Sequence, residues 1–184
     1  MKTLLKILVA ITFYFFLCLP VSAQNVADQS AKFLRIEVNN LDAIRLAKKR
    51  LALNKLLTRY NSPLVNSIDT FLKTCDSFEL DCYLLPSIAG LESGFGKFTH
   101  PGSNNPFGWG GGYILFTNWD QAIFTVGKGL RQNYLNKGAE SVDEIAPIYA
   151  ESKTWAPRVK NFITQFEAEE AKITAILNLN PVEL

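Results

Sequence analysis

An apolar stripe at helical spacing runs through the middle of the chain. Its members are Leu64, Ile68, Phe71, Cys75 and Phe78, at positions i, i+4, i+7, i+11 and i+14. This spacing puts all five on one face of a helix, which a folded domain buries in its core. Asn61-Ser62-Pro63 comes just before, and Ser62 suits an N-cap while Pro63 suits a first helical position.

Further helical patterns surround this stripe and predict a mainly α domain. We expect helices over residues 28–60, from near Pro86 to Ser93, over about 120–136 after Asn118 or Asp120, from a Ser141–Glu144 capping box to about Ala150, and from Trp155 to Leu177. Gly94 is expected to end the second of these helices. The Gly- and aromatic-rich residues 97–117 predict loops or a small hairpin lobe, with Tyr113 to Thr117 as its strand.

The first 23 residues have the pattern of a secretory signal. Lys2 and Lys6 supply the basic start, an apolar run follows, and Val21-Ser22-Ala23 has the small residues of a cleavage site before Gln24. The alternative is an uncleaved membrane anchor, since the apolar run nearly spans a bilayer. We therefore predict a leader over residues 1–23, a helical segment over 24–60 and the main domain over 61–178. An exported protein, periplasmic or extracellular, is the corresponding expectation.

The charge balance of the mature chain argues against nucleic acid as a partner. The whole chain carries a net charge of +2, and a leader containing Lys2 and Lys6 accounts for that excess. Binding driven by counterion release needs many more bases than acids. The bases at positions 48, 49, 50, 55 and 59 form either a patch for an anionic polymer or, more simply, a solvated helix face.

The cysteines predict one disulfide. Loss of the leader would remove Cys18 and leave Cys75 and Cys82, which in an exported chain predict a bond; two buried free thiols are the alternative. The single histidine, His100, and the lack of a Cys-x-x-Cys pair give no support for zinc, so we predict no metal and no cofactor.

Glu92 is the only acidic residue between Leu84 and His100. It follows Leu85 and Ile88 on the same helix face, so we expect it to extend an apolar stripe. It also lies near the C-terminal end of that helix, where the macrodipole disfavours negative charge. Burial and dipole would both favour the protonated carboxyl, which a glycosidase needs to protonate a leaving oxygen. The alternative is a surface glutamate at a frayed helix end.

Nucleotide and serine-hydrolase motifs are not formed. Gly96-Lys97 lacks the first glycine of a P-loop, where Leu91 stands, and its magnesium ligand, where Phe98 stands. No Gly-x-Ser-x-Gly elbow occurs.

Four segments in order resemble a known group of domains. They are "IAGLESGFGK", "SNNPFGWGG", "FTNWDQAI" and "IAPIYAESKTWAPRV". Together they resemble bacterial glucosaminidase-type domains of the lysozyme-like superfamily. These domains cleave peptidoglycan and are related to mannosyl-glycoprotein endo-β-N-acetylglucosaminidase and, more distantly, to lytic transglycosylases. The resemblance covers roughly residues 60–166 and implies an α+β lysozyme-like fold.

The resemblance also implies roles for individual residues. Glu92 matches the catalytic acid, and Ser93 beside it is expected to bind substrate. Asn105-Pro106-Phe107-Gly108 matches an Asn-x-Phe-Gly element that lines the sugar groove. Tyr149 matches a tyrosine that faces the catalytic glutamate in many relatives. Asn105 would bond an N-acetyl or hydroxyl group, and Phe107 and Trp109 would offer flat faces to a sugar ring. Core packing is the alternative for Phe107 and Trp109 and the favoured role of Trp119. A loop without contacts is the alternative for Gly108 to Gly112.

The chain departs from many relatives in the second carboxylate. Between Lys97 and Trp119 it has no acid; Asp120 and Glu151 are the nearest later candidates. A mechanism with Glu92 alone is therefore kept as an alternative, completed by the substrate's N-acetyl group or by a water held by Tyr149.

We expect a monomeric exported endo-β-N-acetylglucosaminidase acting on peptidoglycan or another N-acetylglucosamine polymer, with the membrane involved only through an uncleaved leader. The alternatives are a lytic transglycosylase or muramidase on the same fold, a peptidoglycan-binding module without turnover, and an anchored interaction protein.

Overall fold

The computed structural model describes residues 22–179, and this part of the chain is mainly helical. Six α-helices follow one another: α1 (Ser22–Arg59), α2 (Ile68–Ser77), α3 (Leu84–Ser93), α4 (Trp119–Asn133), α5 (Val142–Tyr149) and α6 (Trp155–Leu179). Short 3₁₀ helices lie at Pro63–Ser67 and Leu135–Lys137. The prediction of a mainly α class is confirmed. The predicted leader falls largely on residues 1–21, which lie outside the described residues.

The chain divides into two compact units at residues 44 and 45. Of the first unit, the described part is the N-terminal portion of α1; the rest of α1 belongs to the second unit with all the other helices. The domain boundary predicted after residue 60 stays a prediction. No helix within residues 22–179 combines the length and apolar character that crossing a bilayer requires.

The helix ends form where the sequence places capping residues. The Ser62 side chain accepts a hydrogen bond from the backbone N–H of Leu64, and Asn118 accepts one from Gln121. Ser141 and Glu144 form both halves of the predicted capping box. Because each cap satisfies N–H groups that have no partner inside the helix, the start of each element is fixed by its own sequence.

The predicted strand from Tyr113 to Thr117 is not formed, and no strand occurs within residues 22–179. The backbone groups of this segment are used by a compact loop instead. The N–H of Phe116 donates to the carbonyl of Ser103, and the Asn104 side chain donates to the carbonyls of Phe116 and Thr117.

The turn after α3 is buried in the centre of the domain. Gly94 ends the helix in the left-handed conformation at φ +57°, and Phe95 follows at φ +61°. A bulky residue rarely adopts this conformation, so the surrounding structure must hold it there. The Phe95 ring is fully buried 4.6 Å from Tyr60 and 5.0 Å from Phe162, measured between ring centroids. Its carbonyl accepts a 2.7 Å hydrogen bond from the Ser62 hydroxyl.

The predicted disulfide between Cys75 and Cys82 is confirmed. It joins the last turn of α2 to the segment that leads into α3, with Cα atoms 4.9 Å apart. The loop it closes is short, so its effect on the entropy of the unfolded chain is modest. Its main consequence is local, because it holds the corner from which α3 starts.

The bases of α1 are largely paired with acids of the same domain. Lys49 lies 3.2 Å from the carboxylate of Glu170, and Arg50 contacts Asp69. Lys55 and Arg59 both pair with Glu169, which α6 places in a buried position. Lys49, Lys55 and Arg59 therefore connect α1 to α6. This basic face of α1 was expected to be either a patch for an anionic polymer or a solvated surface.

Glu169 provides a test of this docking that depends on pH. Hydrogen bonds from Arg59 and Lys172 lower the pKa of the Glu169 carboxyl from its ordinary 4.5 to about 2. A lowered pKa in the folded state means that stability is present above about pH 4.5 and is lost as pH falls toward 2.

We predict that Glu169→Gln lowers the melting temperature by several degrees at pH 7. The difference from wild type should shrink below pH 5 and vanish near pH 2, measured by circular dichroism at 222 nm. Glu167→Gln, an exposed change on the same helix, is the matched control and should have little effect at any pH. A difference for Glu169→Gln that stays constant from pH 7 to pH 2 would contradict this account.

Candidate active site

Glu92 lies where α3 emerges from the core. The helix is buried on all sides from Leu84 to Gly90, and only its last turn reaches the surface. The expectation that Glu92 is buried is therefore wrong: its side chain is exposed. Because the preceding turns are enclosed all round, the apolar spacing of Leu85 and Ile88 does not define a single buried face that continues to Glu92.

A glycine-rich loop approaches the Glu92 carboxylate. Gly108 has φ +63°, and a Cβ built on it would stand 3.4 Å from Glu92 Oε2. Any side chain at this position would thus be strained in its backbone, and its Cβ would stand in van der Waals contact with the carboxylate. The absence of a side chain at Gly108 allows the loop and the carboxylate to share one wall of a pocket.

Asn105 holds this loop in shape through its side-chain amide. The side-chain N–H groups donate to the carbonyls of Trp109 (2.9 Å) and Ile114 (3.3 Å), and the amide oxygen accepts from the N–H of Trp109 (3.1 Å). Asn105 is 4% exposed. The amide expected to bond a sugar substituent is thus engaged with the backbone of the loop, although the residue also lines a pocket.

Ser93 joins the end of α3 to the same loop. Its buried hydroxyl lies 2.8 Å from the carbonyl of Pro106 and 3.0 Å from that of Ala89, and it accepts a hydrogen bond from the N–H of Gly96. One hydroxyl proton serves either carbonyl. Ser93 therefore fixes the distance between Glu92 and the loop at the backbone level.

A chain of contacts leads from Glu92 back to the loop. The indole N–H of Trp155 donates to Glu92 Oε1 at 2.7 Å. The rings of Trp155 and Tyr149 stack with centroids 4.9 Å apart, and the Tyr149 hydroxyl donates to the carbonyl of Phe107 at 2.7 Å. Since Phe107 precedes Gly108, this chain of contacts fixes the loop at the residue before the one that approaches the carboxylate.

Two pockets lie beside the loop and share Gly108 and Gly111. The first, of about 300 Å³, is lined by Glu92, Ser93, Phe98, Thr99, His100, Asn105, Gly108, Gly111, Gly112 and Tyr113. The second, of about 320 Å³, is lined by Gly108, Trp109, Gly110, Gly111, Tyr134 and Tyr149. Glu92 is the only carboxylate among the residues that line these two pockets.

The second pocket has aromatic walls. The Trp109 ring packs on Gly129 of α4, where a Cβ would come within 2.6 Å of it. Its centroid lies 5.9 Å from Tyr149 and 6.2 Å from Tyr134. Burial and then the Glu92 charge raise the pKa of Tyr149 well above 10, and burial also raises the pKa of Tyr134. Both hydroxyls therefore stay protonated and uncharged at ordinary pH.

The expected site residues thus divide by position. Glu92, Ser93, Asn105 and Gly108 meet at the first pocket, and Trp109 and Tyr149 line the second together with Gly108. Phe107 is fully buried, so its ring offers no face to a ligand, contrary to its expected role. Trp119 packs half-buried against the core.

Sequence reasoning missed Trp155, Tyr134, Phe98 and Tyr113. The sequence pattern places Trp155 only at the start of a helix, and its contact with Glu92 joins residues 63 positions apart. Tyr134 ends α4, and nothing in the local pattern points it toward the loop. Phe98 and Tyr113 are 78% and 84% exposed. Their place in a glycine-rich segment was the one sequence signal for aromatic residues at a binding surface.

Among the side chains that the structure describes, those of residues 31–38 and 40–179, no group of three or more from His, Cys, Asp or Glu is placed to hold a metal ion. No protein-family model matches the sequence, and no curated protein shows significant similarity to it.

The role of Asn105 can be tested by its removal. We predict that Asn105→Ala lowers the free energy of unfolding by about 1–3 kcal/mol, because buried carbonyl and N–H groups of the loop lose their partner. Hydrogen exchange of the Trp109 amide should accelerate, while amides of α3 and α4 stay protected. Asn136→Ala, an exposed asparagine, is the matched control. An unchanged exchange rate at Trp109 would show that Asn105 does not brace the loop.

Proposed function

We propose that this chain is an exported glycosidase that cleaves β-1,4 bonds between N-acetylated amino sugars of peptidoglycan, with Glu92 as the general acid. An endo-β-N-acetylglucosaminidase is the preferred assignment within this class. The observation that carries the proposal is the position of the Glu92 carboxylate, which lines an open pocket beside a side-chain-free loop and is held by a fixed N–H donor.

The walls of the two pockets support a carbohydrate as ligand. Trp109, Tyr134 and Tyr149 surround the second pocket with ring faces and neutral hydroxyls, and Phe98 and Tyr113 stand exposed at the first. Sugar rings present flat C–H surfaces that pack on aromatic faces, and their hydroxyl and acetamido groups hydrogen-bond to polar groups such as tyrosine hydroxyls. A linear glycan could pass from one pocket to the other along Gly108 and Gly111.

The proposed reaction begins with proton transfer from the Glu92 carboxyl to the glycosidic oxygen. The bond from the anomeric carbon to that oxygen breaks, the departing sugar keeps the proton as a hydroxyl, and positive charge builds at the anomeric carbon. The carbonyl oxygen of the substrate's own N-acetyl group then bonds to that carbon and water opens the resulting oxazolinium ring, or a water bonds to the carbon directly. In either case the water leaves a hydroxyl on the anomeric carbon and its released proton returns to the Glu92 carboxylate. The neutral Tyr149 oxygen stabilises the developing charge or orients the water.

The single carboxylate at the two pockets favours a mechanism with one protein acid. It also keeps a lytic transglycosylase as the second candidate, because there the C6 hydroxyl of the muramyl residue attacks the anomeric carbon and gives an anhydro sugar. Asp120 and Glu151 are exposed and line neither pocket. A binding module without turnover would use the same walls and is an outcome of the test below.

The first prediction of this proposal concerns Glu92→Gln. Purified peptidoglycan is incubated with the mature chain, residues 24–184, and its ends are identified by mass spectrometry. We expect new ends with the wild type and a loss of at least about 10³-fold with Glu92→Gln, as for removal of an essential acid. Glu140→Gln, an exposed glutamate in the loop before α5, is the matched control and should keep full activity.

The ends formed also identify the reaction. A reducing N-acetylglucosamine end indicates a glucosaminidase, a reducing muramic end a muramidase, and an anhydro end a transglycosylase. Glycan binding by folded protein without any new ends would replace the enzyme by a binding module. Cleavage that survives in folded Glu92→Gln would refute the assignment of the acid.

A second prediction concerns Tyr149→Phe. Because the pKa of Tyr149 lies well above 10, its hydroxyl does not titrate in the range of the assay. We expect Tyr149→Phe to lower kcat about 10-fold or more. The factor should be the same at every pH from 4 to 9, so that the pH profile of kcat keeps its shape. Tyr60→Phe, which removes a hydroxyl bonded to Gln165 away from both pockets, is the matched control. A loss confined to one end of the pH range would contradict a permanently neutral Tyr149.

A further inference from the structure

We propose that Trp155 is a positioning residue that determines which oxygen of the Glu92 carboxyl carries the proton. The inference rests on the proposed function, in which Glu92 is the acid. It adds a residue outside the pocket walls and a direction of proton delivery.

The chemistry of the indole group gives the first step. Trp155 Nε1 lies 2.7 Å from Glu92 Oε1, a short distance typical of a hydrogen bond to a carboxylate. An indole nitrogen is a donor only and has no lone pair for a second proton. Oε1 must therefore act as the acceptor whether the carboxyl is charged or neutral. In a protonated carboxyl the carbonyl oxygen is a much better acceptor than the hydroxyl oxygen, so the indole N–H selects Oε1 as the carbonyl oxygen and leaves the proton on Oε2.

The surroundings of Oε2 give the second step. Among residues 31–38 and 40–179, whose side chains the structure describes, no side chain or backbone N–H is hydrogen-bonded to Oε2. The nearest feature is Gly108, whose missing Cβ would stand 3.4 Å away, and both residues line the first pocket. Oε2, the oxygen that carries the proton, thus faces the first pocket. The glycosidic oxygen of the bound sugar would receive this proton beside Gly108.

The packing of Trp155 gives the third step. Its side chain is 3% exposed at the first position of α6, and its ring stacks on Tyr149 with an interplanar angle of 30°. Tyr149 is in turn bonded to the Phe107 carbonyl. The buried indole is therefore held in one position by its stacking on Tyr149. The Glu92 carboxyl, whose side chain is exposed, takes the orientation that the fixed indole N–H sets.

Nuclear magnetic resonance tests the contact without any assay of activity. The chain has three tryptophans, so its ¹H–¹⁵N spectrum holds three indole N–H signals, and Trp155→Phe identifies the one of interest. We expect that signal downfield of the other two and slow to exchange with deuterium. In Glu92→Gln it should move upfield, since an amide oxygen is a weaker acceptor than a carboxylate, while the Trp119 signal stays in place.

Kinetics tests the consequence. We expect Trp155→Phe to lower kcat on peptidoglycan fragments by about 10²-fold, the loss that accompanies a misplaced catalytic group, with KM little changed. Trp119→Phe is the matched control, because Trp119 also packs half-buried against the core and lines neither pocket. It should keep both constants.

The outcomes separate this inference from the proposed function. If the Trp155 signal does not respond to Glu92→Gln, or if folded Trp155→Phe keeps the kcat of Trp119→Phe, the positioning role is refuted. If Trp155→Phe fails to fold, the response of the assigned signal in Glu92→Gln decides, with assignment by Trp109→Phe and Trp119→Phe. If the wild type cleaves no glycan, the proposed function fails and the positioning of a catalytic proton is refuted with it, even where the indole contact is observed.

Discussion

The buried turn from Gly94 to Phe95 is the constraint on which the candidate site depends. It ends α3 one residue after Ser93, in a left-handed conformation that a phenylalanine adopts only when packing holds it. The ring of Phe95 fills the space above Gly90, where a Cβ would come within 2.6 Å of it. Aromatic packing and the Ser62 hydroxyl thus stop the helix at a fixed depth, and that depth brings Glu92 out of the core.

The site is assembled from backbone contacts more than from a set of converging polar side chains. Ser93 and Asn105 direct their polar groups to carbonyls and N–H groups of the loop. Tyr149 does the same through the carbonyl of Phe107. These residues fix the loop against α3. Glu92 is then the one acid that faces the pocket beside the loop. Residues that sequence reasoning assigned to ligand contact act in large part as supports for the wall.

The sequence predicted several helix starts well because local capping residues mark them. Ser62, Asn118 and the Ser141–Glu144 pair act within four residues of themselves, so a local pattern is enough. The disulfide was equally accessible, since the two cysteines outside the predicted leader allow a single pairing. The predicted strand failed because the backbone partners of residues 113–117 are loop groups that no alternation pattern encodes.

The environment of Glu92 shows the limit of the same approach. Its place at the end of α3 follows from Gly94, which sequence reasoning can use. Its exposure depends on the neighbouring elements, which enclose α3 from Leu84 to Gly90 and leave the last turn at the surface. Its hydrogen-bond partner Trp155 begins a helix 63 positions later in the chain. Burial and long-range contacts of this kind are properties of the assembled domain, and periodicity within one helix does not contain them.

The glycine loop has a consequence for how this chain can change over time. Gly108, Gly110, Gly111 and Gly112 all have φ between +62° and +82°, so each resists replacement by any residue with a side chain. The backbone wall that Gly108 and Gly111 give to both pockets is therefore nearly fixed in shape. It also has no side chain whose replacement could change ligand contacts. New ligand preferences would have to arise at the rim, through positions such as Phe98, His100 and Tyr113, where side chains can vary without disturbing the backbone beneath them.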